Sequence, residues 1–345
     1  MKVAVAGGGT AGHIEPALAV ADALMAESEV SQVIALGTPR GLEKDLVPAR
    51  GYELRMIDPV PFPRKPSADL IKLPFRVIKA VRQARAHLKD VDAVIGFGGY
   101  VSAPAYVAAA TLRKPFFVHE ANARAGMANK LGIKLGGVGL NSVPNSGIPG
   151  PVVGVPIRNT FATTKISREE ACALWGLNPE QPVVLVTGGS QGAQSINKAI
   201  EALAAQPRDY QILHAYGKKN SEPAAAPGYV PVPYIEFMAA ALTAADAVVC
   251  RAGAMTVAEV TQAQVPAIYI PLPIGNGEQA LNAQPIVDAG GARMHEDAWL
   301  KEGQLGAEIS SVLADAESMR SALAGAAGAN AASTIAAMII EKVKG

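Results

Sequence analysis

The sequence predicts an α/β protein built as two parallel-sheet domains, each sheet covered by helices on both faces. Three observations carry this. Short apolar strands alternate with helical stretches along the whole chain, the pattern of parallel strands buried on both sides. Two of those strands run into a glycine-rich turn and then a helix. The first is Met1–Ala6 with Gly7-Gly8-Gly9-Thr10-Ala11-Gly12-His13, leading to Ala17–Leu24; the second is Val183–Thr187 with Gly188-Gly189-Ser190-Gln191-Gly192-Ala193, leading to Ile196–Leu203. A length of 345 residues also suits two domains better than one, with chain enough for two cores.

Taken in order, Val3–Ala6, Gln32–Leu36, Ala93–Phe97, Phe116–His119 and Gly137–Leu140 read as strands of the first half. Helices are expected between them at Glu15–Ala26, Pro74–Lys89, Ala103–Arg113 and Ala125–Leu131. The Pro/Gly-rich stretch Pro144–Pro156 breaks the pattern, and Ser167–Trp175 resumes it as a helix. The second half repeats it with strands Val183–Val186, Gln211–Ala215, Ala247–Cys250 and Ala267–Ile270. Its helices are expected at Ala193–Ala205, Met255–Gln264, Gln279–Ala289 and Gln304–Leu313, and the tail Ala329–Val343 is a last amphipathic helix. The domains so defined are 1–157 and 158–328, with the helix 329–343 expected to pack back on the first.

A formal net charge of +1 gives no general attraction to nucleic acid. Cys172 and Cys250 stand far apart with no His or Cys at metal spacing, so neither a disulfide framework nor a zinc site is indicated, and a reducing cytoplasm fits. Met1-Lys2 leads straight into a strand, unlike a signal peptide. No run approaches the roughly 18 to 20 apolar residues of a spanning helix. A soluble cytoplasmic chain is expected.

A strand, a glycine turn and a helix N-terminus make an anion site, because free amides and the positive end of the helix dipole point outward together. Neither loop has the lysine and hydroxyl of an ATP-cradling loop. Gly7–Gly12 fits Gly-x-Gly-x-x-Gly, but the second strand ends Ala35-Leu36-Gly37-Thr38-Pro39-Arg40 with no acid to hold a ribose diol. Arg40 would suit a 2′-phosphate, so a nicotinamide nucleotide stays an alternative. His13 stands at the mouth of the first helix, where an imidazole can act as a general base worth roughly 10² to 10⁴ in rate; equally, it can simply bond the loop.

Arg251-Ala252-Gly253-Ala254-Met255-Thr256 is a third such turn, with Glu259 one helical turn further in. That carboxylate can accept from a ribose diol or merely complement the helix dipole. Gly275–Asn282 offers amide and carboxylate groups suited to sugar hydroxyls or to helix capping. In Pro61–Lys89, eight cations (Arg64, Lys65, Lys72, Arg76, Lys79, Arg82, Arg85, Lys89) face one acid, Asp69, with Leu70, Ile71, Leu73, Phe75, Val77 and Ile78 interleaved. Such a helix suits an anionic membrane surface, each cation adding about 1 kcal/mol, or is an ordinary surface helix packed on its sheet. Nucleic acid is the weaker reading, without a series of aromatics for base stacking.

Together these segments, with Gly96-Phe97-Gly98-Gly99-Tyr100-Val101-Ser102-Ala103-Pro104, His119-Glu120-Ala121-Asn122-Ala123-Arg124-Ala125-Gly126, Gly154-Val155-Pro156-Ile157-Arg158 and Gln279-Ala280-Leu281-Asn282-Ala283, resemble the MurG family of glycosyltransferases. That family adds N-acetylglucosamine to lipid I in peptidoglycan synthesis, and so serves cell-wall biogenesis, cell shape and division. The motifs occur in family order over nearly the whole chain.

The resemblance implies the GT-B fold, two Rossmann-like domains facing a cleft. It assigns UDP-GlcNAc mainly to the second domain: the Ser190 loop to the diphosphate, Arg158 to the donor side of the linker, and the Ile235 backbone to the uracil edge. Ala254, Met255 and Thr256 would give amides to phosphate, Glu259 would take the ribose diol, and Gln279 and Asn282 the sugar hydroxyls. Thr10, Ala11, Gly12, His13 and Asn122 would serve the acceptor and the transferring sugar, with His13 as catalytic base. The implied reaction inverts the α-linked donor to a β-1,4 product, without cofactor or metal.

Implied partners are UDP-GlcNAc, lipid I, other cell-wall synthesis proteins and the anionic cytoplasmic leaflet, met at Leu70, Ile71, Lys72, Leu73, Phe75, Arg76 and Lys79; nucleic acid is not among them. The chain would be peripheral on the inner face of the membrane. Ala11, Glu15, Ala121 and Pro273–Glu278 depart from the commoner family pattern. The remaining readings are a related transferase with another lipid acceptor, such as diacylglycerol, and a non-catalytic nucleotide-sugar-binding subunit.

Overall fold

Lys2-Val3-Ala4-Val5-Ala6 and Val183-Val184-Leu185-Val186-Thr187 are apolar at nearly every position rather than at alternate ones, so both faces need cover and both become central strands. A computed structural model of the protein describes residues 1–39, 41–60, 69–157, 166–189, 191–273, 277–326 and 330–345. The chain divides into two units, Met1–Arg158 with Ala329–Gly345, and Asn159–Gly328.

The first unit runs β1 (Lys2–Ala6), α1 (Ala11–Met25), β2 (Gln32–Gly37), α2 (Glu43–Ala49), β3 (Glu53–Met56) and α3 (Asp69–His87). It continues with β4 (Ala93–Gly96), α4 (Gly99–Thr111), β5 (Phe116–Glu120), α5 (Met127–Lys134) and β6 (Val138–Asn141). Its six strands lie in the order β3-β2-β1-β4-β5-β6, all parallel, with Val3 level with Val33 and Ala93 in the neighbouring strands.

The second unit opens with α6 (Arg168–Ala173), β7 (Val183–Thr187), α7 (Gln194–Ala204), β8 (Gln211–Ala215) and β9 (Tyr229–Val232). Next come α8 (Met238–Ala244), β10 (Ala247–Cys250), α9 (Ala254–Gln262), β11 (Ala267–Tyr269), α10 (Glu278–Asp288) and β12 (Ala292–Met294). A 3₁₀ turn (Asp297–Glu302), α11 (Leu305–Ala314) and α12 (Ala316–Ala326) complete it, and α13 (Ala331–Lys344) belongs to the first unit. The sheet order is β12-β11-β10-β7-β8-β9.

Numbered within its own unit, each sheet reads 3-2-1-4-5-6, the doubly wound order. Its direction of winding reverses between β1 and β4, and between β7 and β10. At such a reversal the loops leaving the two central strands part, and a crevice opens at the carboxyl ends. The glycine loops after β1 and β7 and the turns after β4 and β10 therefore all stand at reversal points.

Each sheet has a core on both faces. In the first unit Leu18, Val20 and Leu24 of α1 pack with Ile335, Ile339 and Ile340 of α13 on one side. Ala84, Leu88, Ala105, Tyr106 and Ala109 cover the other. Each fully buried large apolar side chain contributes roughly 1.5 to 3 kcal/mol.

The sequence left unmarked the strands β3, β9 and β12 and the helices α2, α8 and α12. The three strands are sheet edges whose residues are only partly covered, so they lack the continuous apolar run that marks a central strand. Helix α4 starts at Gly99, ahead of the expected Ala103, because Gly98 at φ +90° turns the chain directly into the helix. Among the described residues no helix is long and apolar enough to cross a membrane.

Candidate active site

The first glycine loop is shaped by close approach. A Cβ on Gly7 would stand 2.2 Å from the His13 carbonyl oxygen, so only glycine lets the first turn of α1 fold down onto β1. Thr10 is the N-cap in extended conformation, yet its side chain makes no cap bond. Its hydroxyl lies 3.2 Å from His13 Nδ1 instead, and the Thr10 carbonyl accepts from the amides of His13 and Ile14. Thr10 thus anchors both the backbone and the ring of the histidine.

The turn after β4 forms a floor for that ring. A Cβ on Gly98 would stand 3.2 Å from His13 Nε2, and one on Gly99 3.3 Å from Nδ1. Both glycines have positive φ, +90° and +79°, and neither tolerates a side chain there. Tyr100, half-exposed, lies beside Gly9, 3.7 Å from where a Cβ would be. Glu15, whose acid was unassigned from sequence, has its carboxylate 3.8 Å from the Arg50 guanidinium.

Asn122 follows β5 and is held by Glu120, a buried carboxylate. Glu120 accepts from Asn122 N at 3.0 Å and Nδ2 at 3.3 Å, from Gly126 N at 3.0 Å and from Asn129 Nδ2 at 2.8 Å. Asn129 in turn accepts from the Tyr106 hydroxyl at 2.9 Å. Next to them His119 is fully buried, and desolvation lowers its pKa to about 4. It is neutral at physiological pH, with Nε2 3.0 Å from the Gly154 carbonyl.

In the second unit the loop after β7 rests on the end of β8. A Cβ on Gly192 would meet the Tyr216 carbonyl at 2.1 Å, and Asn220 Nδ2 donates to the carbonyls of Gln191 and Tyr216 at 3.0 and 2.8 Å. Asn197 Nδ2 also donates to Tyr216 O, while its Oδ1 lies 3.1 Å from His214 Nε2; the other ring nitrogen of His214 meets the Tyr229 hydroxyl at 2.7 Å. Burial holds the His214 pKa at about 4, so this support is uncharged.

Ala254, Met255 and Thr256 form the first turn of α9, after the extended N-cap Gly253. Arg251, mostly buried, fixes the loop before them: it donates to the carbonyls of Ile270 and Pro271 at 3.1 Å, to Ser195 Oγ at 2.9 Å, and pairs with Asp297 at 2.5 Å. Ala252 between them is clamped on both sides. Its amide, at 3.2 Å, and that of Leu272, at 3.0 Å, donate to Gln279 Oε1, and the Ala252 carbonyl accepts from the buried Asn282 Nδ2 at 3.4 Å. Glu259 lies half-buried on α9 and Ile235 is buried between β9 and α8.

The four helices at the reversal points share an electrostatic trait. Their N-cap residues Thr10, Gly98, Ala193 and Gly253 provide no side-chain cap bond, and none has an acid in its first turn. By contrast Ser167 and Asn330 cap α6 and α13. First-turn amides have no partner inside a helix, so these ends suit oxygen ligands. Among the described residues no group of three His, Cys, Asp or Glu side chains is placed to hold a metal.

The Glycosyltransferase family 28 N-terminal domain matches residues 3–135, and the Glycosyltransferase family 28 C-terminal domain matches residues 183–339. A curated relative from Corynebacterium glutamicum (strain R) is 59% identical over 353 aligned positions, covering 100% of this chain and 99% of its own. It is named UDP-N-acetylglucosamine--N-acetylmuramyl-(pentapeptide) pyrophosphoryl-undecaprenol N-acetylglucosamine transferase. The chain belongs to glycosyltransferase family 28. A family 28 relative of the same name from Corynebacterium diphtheriae is 56% identical over 99% of this chain and 97% of its own. Among solved structures, Acinetobacter baumannii MurG superposes with a TM-score of 0.77 at 31% identity, covering 99% of each chain.

Of the site residues read from the sequence, Thr10, Gly12, His13 and Asn122 belong to the carboxyl ends of the first sheet, and Ala254, Met255, Thr256, Glu259, Gln279 and Asn282 to the turn after β10 and its neighbour α10. Ala11 is the first residue of α1. Arg158, Ser190 and residues 274–276 lie outside the described residues. Glu43, Glu120, Asn129 and Arg251 had no role from sequence. For Glu43, Glu120 and Asn129 the signal is a polar side chain with no exposed surface or almost none, and for Arg251 a mostly buried ion pair with Asp297; both are visible only once the chain is folded.

Proposed function

We infer that this family 28 chain transfers N-acetylglucosamine from UDP-N-acetylglucosamine to the 4-hydroxyl of the N-acetylmuramyl group of lipid I, giving lipid II for peptidoglycan. The observation that carries the reading is 59% identity to a named transferase along the whole of both chains.

In the proposed mechanism Nδ1 of His13 is held toward Thr10, and Nε2 takes the proton of the acceptor hydroxyl as its oxygen attacks the anomeric carbon. A single displacement inverts that carbon, and negative charge grows on the departing UDP. The second glycine loop and the first turn of α9 face that charge with preorganised amides, which need no reorganisation at the moment of transfer. Ser190 and Arg158 are assigned to the same diphosphate side, the Ile235 backbone to uracil, and Glu259 to the ribose diol. Gln279 would reach a sugar hydroxyl through its carboxamide nitrogen, since its oxygen already holds two amides, and Asn282 would act alongside it. No metal or cofactor is assigned a step.

The lipid acceptor brings the chain to the cytoplasmic face of the membrane. On α3 the buried stripe is Ala80, Ala84 and then Leu88, whereas Phe75 is 74% and Ile78 50% exposed. The apolar residues that its own sheet leaves uncovered are thus distinct from those it uses, and they stand among Arg76, Lys79 and Arg82. Lys79 already pairs with Asp58 at 2.6 Å. Leu73 is half-buried; Leu70, Ile71 and Lys72 share the helix, with side chains outside the described set.

UDP release from UDP-GlcNAc, measured with and without a soluble lipid I analogue, tests the reading. Release that requires the analogue and drops at least a hundredfold in His13→Ala is the expected result. Donor binding without release would point to another acceptor or to a binding subunit.

A further inference from the structure

The two glycine loops are alike in sequence and unlike in charge. In the second, two of the described amides are served by neutral oxygens: Gly189 N donates to Thr187 Oγ1 at 3.1 Å and Gly192 N to the Gly189 carbonyl at 2.9 Å. In the first, Gly9 N donates at 3.1 Å to the carboxylate of Glu43, 34 residues further along. We propose that Glu43 is a positioning residue of the transfer reaction, its carboxylate filling the first loop in place of an external anion and fixing the turn that aims His13. This rests on the reading of His13 as the base.

Glu43 is 0% exposed, in the first turn of α2. Its Oε1 accepts from Thr38 N and Thr38 Oγ1, each at 2.9 Å, and its Oε2 from Gly9 N. Among the described residues these donors belong to the loop after β1 and the loop after β2. Burying a carboxylate costs several kcal/mol unless donors surround it, and among the described residues three do.

Three glycines make the room. A Cβ on Gly8 would stand 3.0 Å from Oε1, one on Gly37 2.6 Å from Cγ, and one on Gly41 1.9 Å from Oε2. Part of the glycine richness of the first motif therefore accommodates an internal acid rather than a phosphate. Thr10, which bonds the imidazole, is the next residue after the tethered Gly9.

The test uses the full chain with UDP-GlcNAc and a soluble lipid I analogue. Glu43→Gln keeps the shape but turns an NH₂ group toward an N–H. It should lower kcat tenfold or more while KM and Kd for UDP-GlcNAc stay within twofold. Gly41→Ala, which keeps the acid but drives it off Gly9, should do the same and covers the case in which Glu43→Gln fails to fold. The signature of positioning is non-additivity: on a His13→Ala background neither change should reduce the residual rate further. Full kcat in both variants, or losses that multiply the His13→Ala loss, would overturn the role of Glu43 alone. A His13→Ala enzyme at the wild-type rate would overturn the base assignment along with it.

Discussion

A hydroxyl on one nitrogen and two glycines beneath the ring help to orient His13. The arrangement is sensitive to volume. Gly98 has φ +90° and ψ −169°, a region open essentially to glycine alone, so Gly98→Ala should cost about 1 to 3 kcal/mol in backbone strain. The added methyl would also press on the imidazole at 3.2 Å. The expected result is a lower melting temperature together with a reduced kcat and unchanged donor affinity, read by calorimetry and steady-state rates. At this scale the sequence was half legible. His13, the glycines and Asn122 stand inside short motifs and could be picked out in order. Glu43 could not, because an acid becomes a loop anchor only when folding brings it against amides that the sequence does not place beside it, here Gly9 N, 34 residues away; Glu120 stands inside a motif, but its role shows only through its burial and its bond to Asn129.

Helices divide here by what covers them. Those behind the sheets carry alanine-rich faces that let the backbones approach, and these were readable from apolar spacing. The edge strands β3, β9 and β12 were not, since a strand with one bonded neighbour and a wet face keeps too few apolar residues to stand out. Helix α3 was read as either membrane-facing or core-facing; Ala80 and Ala84 are buried, Phe75 and Ile78 are exposed, and the membrane contact is a proposal. Replacing Phe75 by Ser with Arg76→Glu should weaken binding to anionic vesicles about tenfold or more, on the scale of about 1 kcal/mol per surface cation. Cosedimentation against neutral vesicles checks it, and binding that stays at the wild-type level would remove α3 from the proposed membrane face.

Across the whole molecule, each unit hides one neutral histidine, His119 in the first and His214 in the second. Both are held near pKa 4 by burial, against 6.5 in the open chain. Between those values the unfolded chain binds protons that the folded one refuses, so stability is full above about pH 6.5 and declines toward pH 4. Each site accounts for about 3 kcal/mol over that window. Melting temperature followed from pH 7.5 to 4.5 should fall less steeply in His119→Gln, which can still donate to Gly154, than in the native chain. Equal slopes would show that His119 is not the group responsible.

Helix α13 closes one face of the first sheet, yet it follows the whole second unit in the chain. Ile335, Ile339 and Ile340 reach the α1 side of that core only after the entire second unit has left the ribosome. At roughly 5 to 20 residues per second, α1 waits on the order of ten seconds or more for its cover. During synthesis the face of the first sheet that α13 covers therefore waits for that cover until the later half of the chain has been made.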